Sequence, residues 1–303
     1  MSVDPEDEGA DTQTGEGDDF ACLRELRVAI LGLGLMGGSL ALALRGRCRR
    51  VLGIDASPET LVLAEQIQLC DRLSADPAEL LPQADLIVLA VPVHTIVQLI
   101  ARLPGLTPGA PMLIDLGSTK TRIVRAMAGL PERFDPIGGH PMCGKERSSL
   151  VEAEAGLYKG ASFALTPLPR TSQRLRTIAE ALVRTLGARP VWLNENTHDR
   201  WVAATSHAPF LVANALAAVT PLEAAPLVGP GYRSTTRVST TPAAVMLDIL
   251  STNRENVLDC LGRFRRQIDL LETLLRAEDR GGLENALAAG SSRQKQILLA
   301  GDG

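Results

Sequence analysis

Apolar residues in the first half of this chain gather into short unbroken runs closed by small or turn-forming residues: 26–31, 51–55, 84–92 and 110–115. Runs of that length without alternation suit strands covered on both faces. Stretches of helical character near 58–69, 95–103 and 119–127 separate them. Another strand belongs at 134–138, and 161–192 reads as strand, helix (173–186) and strand, with Gly187 as the helix stop. This alternation predicts an α/β fold with a doubly wound parallel sheet. After 194–197 the pattern becomes helical, rich in Ala, Leu and Arg, and stays so to the end. Helices are expected at 242–250 and 254–278, the second with an apolar stripe of Leu258, Leu261, Ile268, Leu271, Leu274 and Leu275.

The first run ends in Gly32-Leu33-Gly34-Leu35-Met36-Gly37-Gly38-Ser39, followed by a buried-helix pattern. In such a strand, turn and helix, Gly32 permits the tight turn and Gly34 lets a pyrophosphate approach the backbone. Gly37 lets the helix pack on the strand, and the helix N-terminus, with Leu35 and Met36 in its first turn, attracts phosphate charge. Asp55 closes the second strand eighteen residues beyond Gly37, where a carboxylate takes ribose hydroxyls and repels a 2′-phosphate. NAD is therefore expected over NADP. Ligands of these sheets sit beyond the carboxyl ends of the strands, which draws attention to Val91-Pro92, to 115–120, and to Gly138-Gly139-His140.

His140 lies among glycines and a proline that fix the backbone, as for a side chain presented into a cleft, and is a candidate acid or base. Ser118 either caps the helix that follows or serves the site; if both strand ends meet at one cleft, its hydroxyl would orient the imidazole. Lys120 is either a solvated first-turn residue or part of the same site. Cys143, three residues beyond His140, reads as a small packing residue more than as a catalytic thiol.

Composition narrows the setting. The 303 residues favour two domains, and 45% hydrophobic with 22% charged residues describe an ordinary globular protein. Eight acidic residues and no Lys or Arg fall within 1–20, so the net charge of −4 hides a remainder with 31 basic against 27 acidic residues. That opening segment reads as a disordered acidic tail over 1–24. It precedes a dinucleotide-binding domain over 25–195 and a helical domain over 196–303. No basic block with interleaved aromatics suggests nucleic acid, and no apolar run suggests a membrane span, so a cytoplasmic protein is expected. Five scattered cysteines imply reduced thiols and no metal site.

These residues resemble the prephenate and arogenate dehydrogenases of tyrosine biosynthesis, most nearly the prephenate enzymes. The likeness rests on 32–39, on Gly117-Ser118-Thr119-Lys120, on 138–146, on Ser206-His207, and on Ser234-Thr235-Thr236-Arg237 with Asp248 and Asn253. It implies a Rossmann-type domain and an NAD-linked oxidative decarboxylation. His140 would be the base, Ser118 its partner, Arg237 the grip on a substrate carboxylate, and Lys120 and His207 further substrate contacts. It also implies a homodimer formed through the helical domain. Many members have a histidine where this chain has Phe210. Glu146 bears on the substrate, since a carboxylate there suits the ammonium of arogenate and repels the pyruvyl carboxylate of prephenate, unless Lys145 and Arg147 neutralise it.

Two other readings compete. A hydroxyacid dehydrogenase would need an interdomain lysine base, and no lysine lies between Lys159 and Lys295. A non-catalytic NAD sensor would need none of Ser118, His140 and Arg237.

Overall fold

The structure, a computed structural model, describes residues 21–145, 147 and 149–302. The acidic residues 1–20 and Glu146 lie outside the described residues. Eight strands form one sheet: β1 (Arg27–Leu31), β2 (Arg50–Ile54), β3 (Arg72–Ser74), β4 (Leu86–Leu89), β5 (Met112–Asp115), β6 (Asp135–Pro141), β7 (Ser162–Pro167) and β8 (Arg189–Trp192). Their order is β3-β2-β1-β4-β5-β6-β7-β8, so the winding reverses between β1 and β4 and opens a crevice at their carboxyl ends.

Strand periodicity divides the core into two layers. Val28, Ile30, Val88 and Ile114 face the helices Leu35–Leu44 and Gln173–Thr185. Ala29, Leu31, Ile87, Leu89 and Leu113 face Val93–Leu106 and Thr121–Ala128. Burial on both sides explains the unbroken apolar runs in the sequence.

The sheet departs from the all-parallel expectation at β7, which pairs antiparallel with β6. A parallel return needs a crossover, usually a helix, to carry the chain back to the other end of the sheet. The 142–161 link contains only the single turn Leu150–Glu152 among its described residues, so the chain re-enters the sheet from the end where it left. This link instead folds over the glycine loop. The Tyr158 hydroxyl donates to the Met36 carbonyl at 2.6 Å, and the Glu154 N–H donates to Ser39 Oγ at 3.0 Å.

The helical part begins at Glu195–Val202, with Asn194 as N-cap, and continues through a π-helical turn, Ala203–His207, into Ala208–Val219. This turn immediately precedes Pro209 and accommodates a ring lacking an N–H donor. The rod Glu195–Val219 has the length and apolar character of a membrane span. Yet His198, Asp199 and His207 along it are each 1% exposed, enclosed by polar partners from other elements. Helices Ala243–Thr252, Arg254–Arg276 and Arg280–Asp302 follow.

Candidate active site

At the crevice lies a cavity of about 500 Å³. The first domain contributes Gly32, Gly34, Leu35, Met36 and Asp55 on one side, Val91 and Pro92 at the end of β4, and Ser118 and His140 beyond β5 and β6. The helical part closes it with Thr241, Pro242, Asp248 and Ile249.

Two glycines of the loop have distinct reasons to be glycine. Gly32 has φ +94°, and a Cβ there would stand 2.5 Å from the Ala90 carbonyl oxygen. A Cβ on Gly37 would meet the Gly32 carbonyl oxygen at 1.8 Å, so Gly37 sets helix-to-strand approach and lies behind the cavity wall, whereas its neighbours Leu35 and Met36 line it. Asp55 braces the loop by accepting the N–H of Leu33 at 2.7 Å and of Ser57 at 2.9 Å.

His140, 9% exposed, lies on β6 at the cavity. Its Nδ1 is 2.8 Å from His198 Nε2, and His198 Nδ1 is 2.9 Å from Asp199 Oδ1. The same carboxylate receives the N–H of Lys120 at 2.7 Å and of Thr121 at 2.9 Å, capping the helix Thr121–Ala128 from the other domain. Asn253 Nδ2 donates to the Asp199 carbonyl at 2.7 Å and lies 3.2 Å from His207 Nδ1.

Burial, with neighbouring His198, Lys120 and His207, pushes His140 well below the ordinary histidine value, so its ring is neutral at neutral pH. Burial also lowers His198 against the pull of Asp199, and lowers His207 to about 4. Burial alone would raise Asp199, but hydrogen bonds from His198, Thr121 and the backbone outweigh it and hold the carboxyl below its usual range. The Cys143 thiol lines the cavity and is pushed up to about 11 by burial, so it stays protonated and is a poor nucleophile.

The remaining candidates fall in three places. Ser118 is on the cavity wall, but the partner of His140 Nδ1 is His198 in place of the expected serine hydroxyl. Lys120 does not reach the cavity as a substrate contact: its ammonium is fully buried against Asp115 and donates to the Gly139 carbonyl at 2.6 Å. Burial drives both members of the Asp115–Lys120 pair toward neutrality, and their mutual contact opposes it. His207 is likewise enclosed, held by Asn253 behind the cavity. Arg237 opens an exposed turn, Arg237–Thr240, that leads directly into Thr241 and Pro242 of the wall. Lys145 lines the mouth and pairs with Glu154 at 3.2 Å.

Sequence reasoning missed His198 and Asp199. The available signal was a His-Asp pair one turn beyond the Asn194 cap, on the face that the helix turns toward the sheet domain.

Residues 40–192 match the prephenate dehydrogenase nucleotide-binding domain, and 194–289 the prephenate dehydrogenase dimerization domain. The chain belongs to the prephenate dehydrogenase family. A prephenate dehydrogenase of Bacillus subtilis is 31% identical over 263 residues, covering 83% of this chain and 71% of that protein. The crystal structure of the Aquifex aeolicus prephenate dehydrogenase in complex with hydroxyphenyl propionate and NAD+ superposes with a TM-score of 0.81 at 27% identity, over 91% of this chain and 99% of that one. The Synechocystis arogenate dehydrogenase gives 0.78 at 27% identity, over 89% and 99%.

The buried histidines make acid stability a measurable property of this family member. Unfolded, His207 titrates near 6.5; folded, at about 4. Between those values the unfolded chain binds the proton that the folded chain refuses, so stability is full above about pH 6.5 and falls as pH drops toward 4. His207 alone accounts for about 3 kcal/mol at ~1.4 kcal/mol per unit, and His140 and His198 act in the same direction. Urea midpoints measured from pH 7 to pH 4.5 should fall steadily; a flat series would contradict neutral burial of these rings.

Proposed function

We propose that this chain catalyses the NAD-dependent oxidative decarboxylation of prephenate to 4-hydroxyphenylpyruvate. The observation that carries the reading is a neutral, buried His140 on the same cavity as the glycine loop and Asp55. It is supported by family membership and by the relative that holds both NAD+ and a hydroxyphenyl acid.

The donor set fits the dinucleotide. The Gly34 loop and the start of the helix Leu35–Leu44 would hold the pyrophosphate, Asp55 the adenosine ribose hydroxyls, and Val91 and Pro92 the nicotinamide face. Bound NAD supplies the hydride acceptor. His140 takes the proton of the substrate hydroxyl as the carbinol carbon gives up its hydride, leaving a C=O group. The bond to the ring carboxylate then breaks, carbon dioxide leaves, and its electron pair completes an aromatic phenolate, whose oxygen takes back the proton held on His140 to give the phenol. Ser118, on the same cavity wall, would hold the reacting oxygen with its hydroxyl, and Arg237 would pair with a substrate carboxylate from the rim.

Arogenate is the second reading, favoured by the Synechocystis relative. The family's dimerization domain and the exposed Phe264, Ile268, Leu270 and Leu275 of the long helix support a homodimer. Five free cysteines suit a reducing cytoplasm. We place the boundary between the two domains near residue 195, a reading supported by the start of the helix Glu195–Val202 there.

One purified sample tests these points. NADH formation with prephenate, faster than with arogenate, is the expected result, from a particle of twice the 32.2 kDa chain mass by light scattering. Turnover of neither substrate by NAD-binding protein would remove the activity, and a ratio favouring arogenate would move the assignment to the second reading. Glu146→Gln in the same assay tests the charge at that position: an unchanged ratio excludes Glu146 from substrate choice.

A further inference from the structure

The hydrogen bonds around Asp199 determine where the protons of two histidines sit. A carboxylate offers only lone pairs, and Asp199 Oδ1 already accepts the N–H of Lys120 and Oδ2 that of Thr121. His198 Nδ1, 2.9 Å from Oδ1, must therefore carry a hydrogen and donate it. A neutral His198 then has a bare Nε2, and this atom faces His140 Nδ1 at 2.8 Å. Two ring nitrogens at that distance share one proton, so His140 Nδ1 is the donor. The remaining nitrogen, His140 Nε2, keeps a lone pair, receives no hydrogen bond from the described residues, and belongs to a ring on the cavity wall.

We propose that Asp199 and His198 are positioning residues that fix His140 in the Nδ1–H tautomer and so aim its Nε2 lone pair at the substrate hydroxyl. The proposal rests on the reading of His140 as the base. It assigns the relay to the helical domain, although the base itself lies on the sheet domain. The arrangement also answers the charge that forms when His140 is protonated. Lys120, His198 and His207 all disfavour that charge on His140; the carboxylates of Asp199 and Asp115 act on its neighbour, where they favour a proton on His198. The imidazolium keeps its Nδ1–H bond to His198, so nothing must reorient as the proton arrives.

The chain has only four histidines, which makes the tautomers directly readable. In full-length protein labelled with 15N-histidine, two-bond 15N–1H correlation spectra, assigned by single substitutions, should show His140 and His198 as Nδ1–H. His207 is an internal contrast: Asn253 Nδ2 donates toward its Nδ1, so it should appear as Nε2–H. A His140 signal of the Nε2–H form overturns the proposal whatever the protein turns over, so failure here is distinct from failure of the proposed reaction. In kinetics, His198→Phe removes the acceptor and should lower kcat by ~10²-fold with KM for prephenate within about threefold, and His198→Gln, which restores an amide acceptor, should recover part of the loss. A His198→Phe enzyme with full kcat also overturns it; if that variant does not fold, the wild-type spectrum decides.

Discussion

Substituting Asn for His140 is expected to lower kcat by ~10²–10⁴-fold while leaving NAD affinity unchanged. Asn is the informative replacement because its amide NH2 can stand where Nδ1–H stands and donate to His198 Nε2, so the contact across the domains survives. What disappears is the basic Nε2. The cofactor side of the cavity, built from Gly32, Gly34 and Asp55, is on the opposite wall and is not altered. Stopped-flow NADH formation with titration of NAD by fluorescence separates the two quantities. A fully active His140→Asn enzyme would remove the histidine from the reaction, and a variant crippled only in NAD affinity would reassign it to cofactor binding.

Lys120→Met should destabilise the protein by about 3–5 kcal/mol, lowering the melting temperature by roughly 10 °C. The lysine ammonium is fully buried against Asp115, and Asp115 also accepts N–H groups from Gly117 at 2.8 Å and Gly139 at 3.1 Å. Methionine fills the volume of the stem but leaves a buried carboxylate with no cation. The loss is thus dominated by Asp115, which must either stay buried as an unpaired carboxylate or take up a proton, and adding Asp115→Asn should recover part of it. Were Lys120 a substrate ligand, the variant would melt normally and show a raised KM. Differential scanning calorimetry beside steady-state kinetics tells the two apart.

The fate of Lys120 shows where the sequence is legible and where it is not. Strands β1, β4 and β5 announce themselves because burial on both faces demands continuous apolar residues, and the glycine turn because Gly32 and Gly37 leave no room for a Cβ. The three-residue β3 is too short to leave a period, and antiparallel β7 depends on what the preceding link lacks. His140 was readable from its rigid surroundings. The positions of Lys120 and His207 were not, because a polar residue buried with a partner has the same one-dimensional signature as one facing solvent. Lys120 finds its partner only five residues away, yet the contact requires β6 to pass alongside and lend the Gly139 carbonyl. His198 and Asp199 meet their targets from 58 and 79 residues away, a distance no local pattern encodes.

That long-range meeting governs how the gene can be recombined. Asp199 caps a helix of the sheet domain, Thr252 meets Thr119 at 2.9 Å, and Asp248 accepts the N–H of His94 at 3.2 Å. A chimera that takes its sheet domain from this chain and its helical domain from a relative inherits half of each contact from either parent. Crossovers placed between His140 and Glu195 therefore separate His140 from the residues it meets, whereas crossovers within the outer half of Arg254–Arg276 leave all of them in one parental set. Domain shuffling in this fold is limited less by the loop that joins the parts than by the atoms that face each other across it.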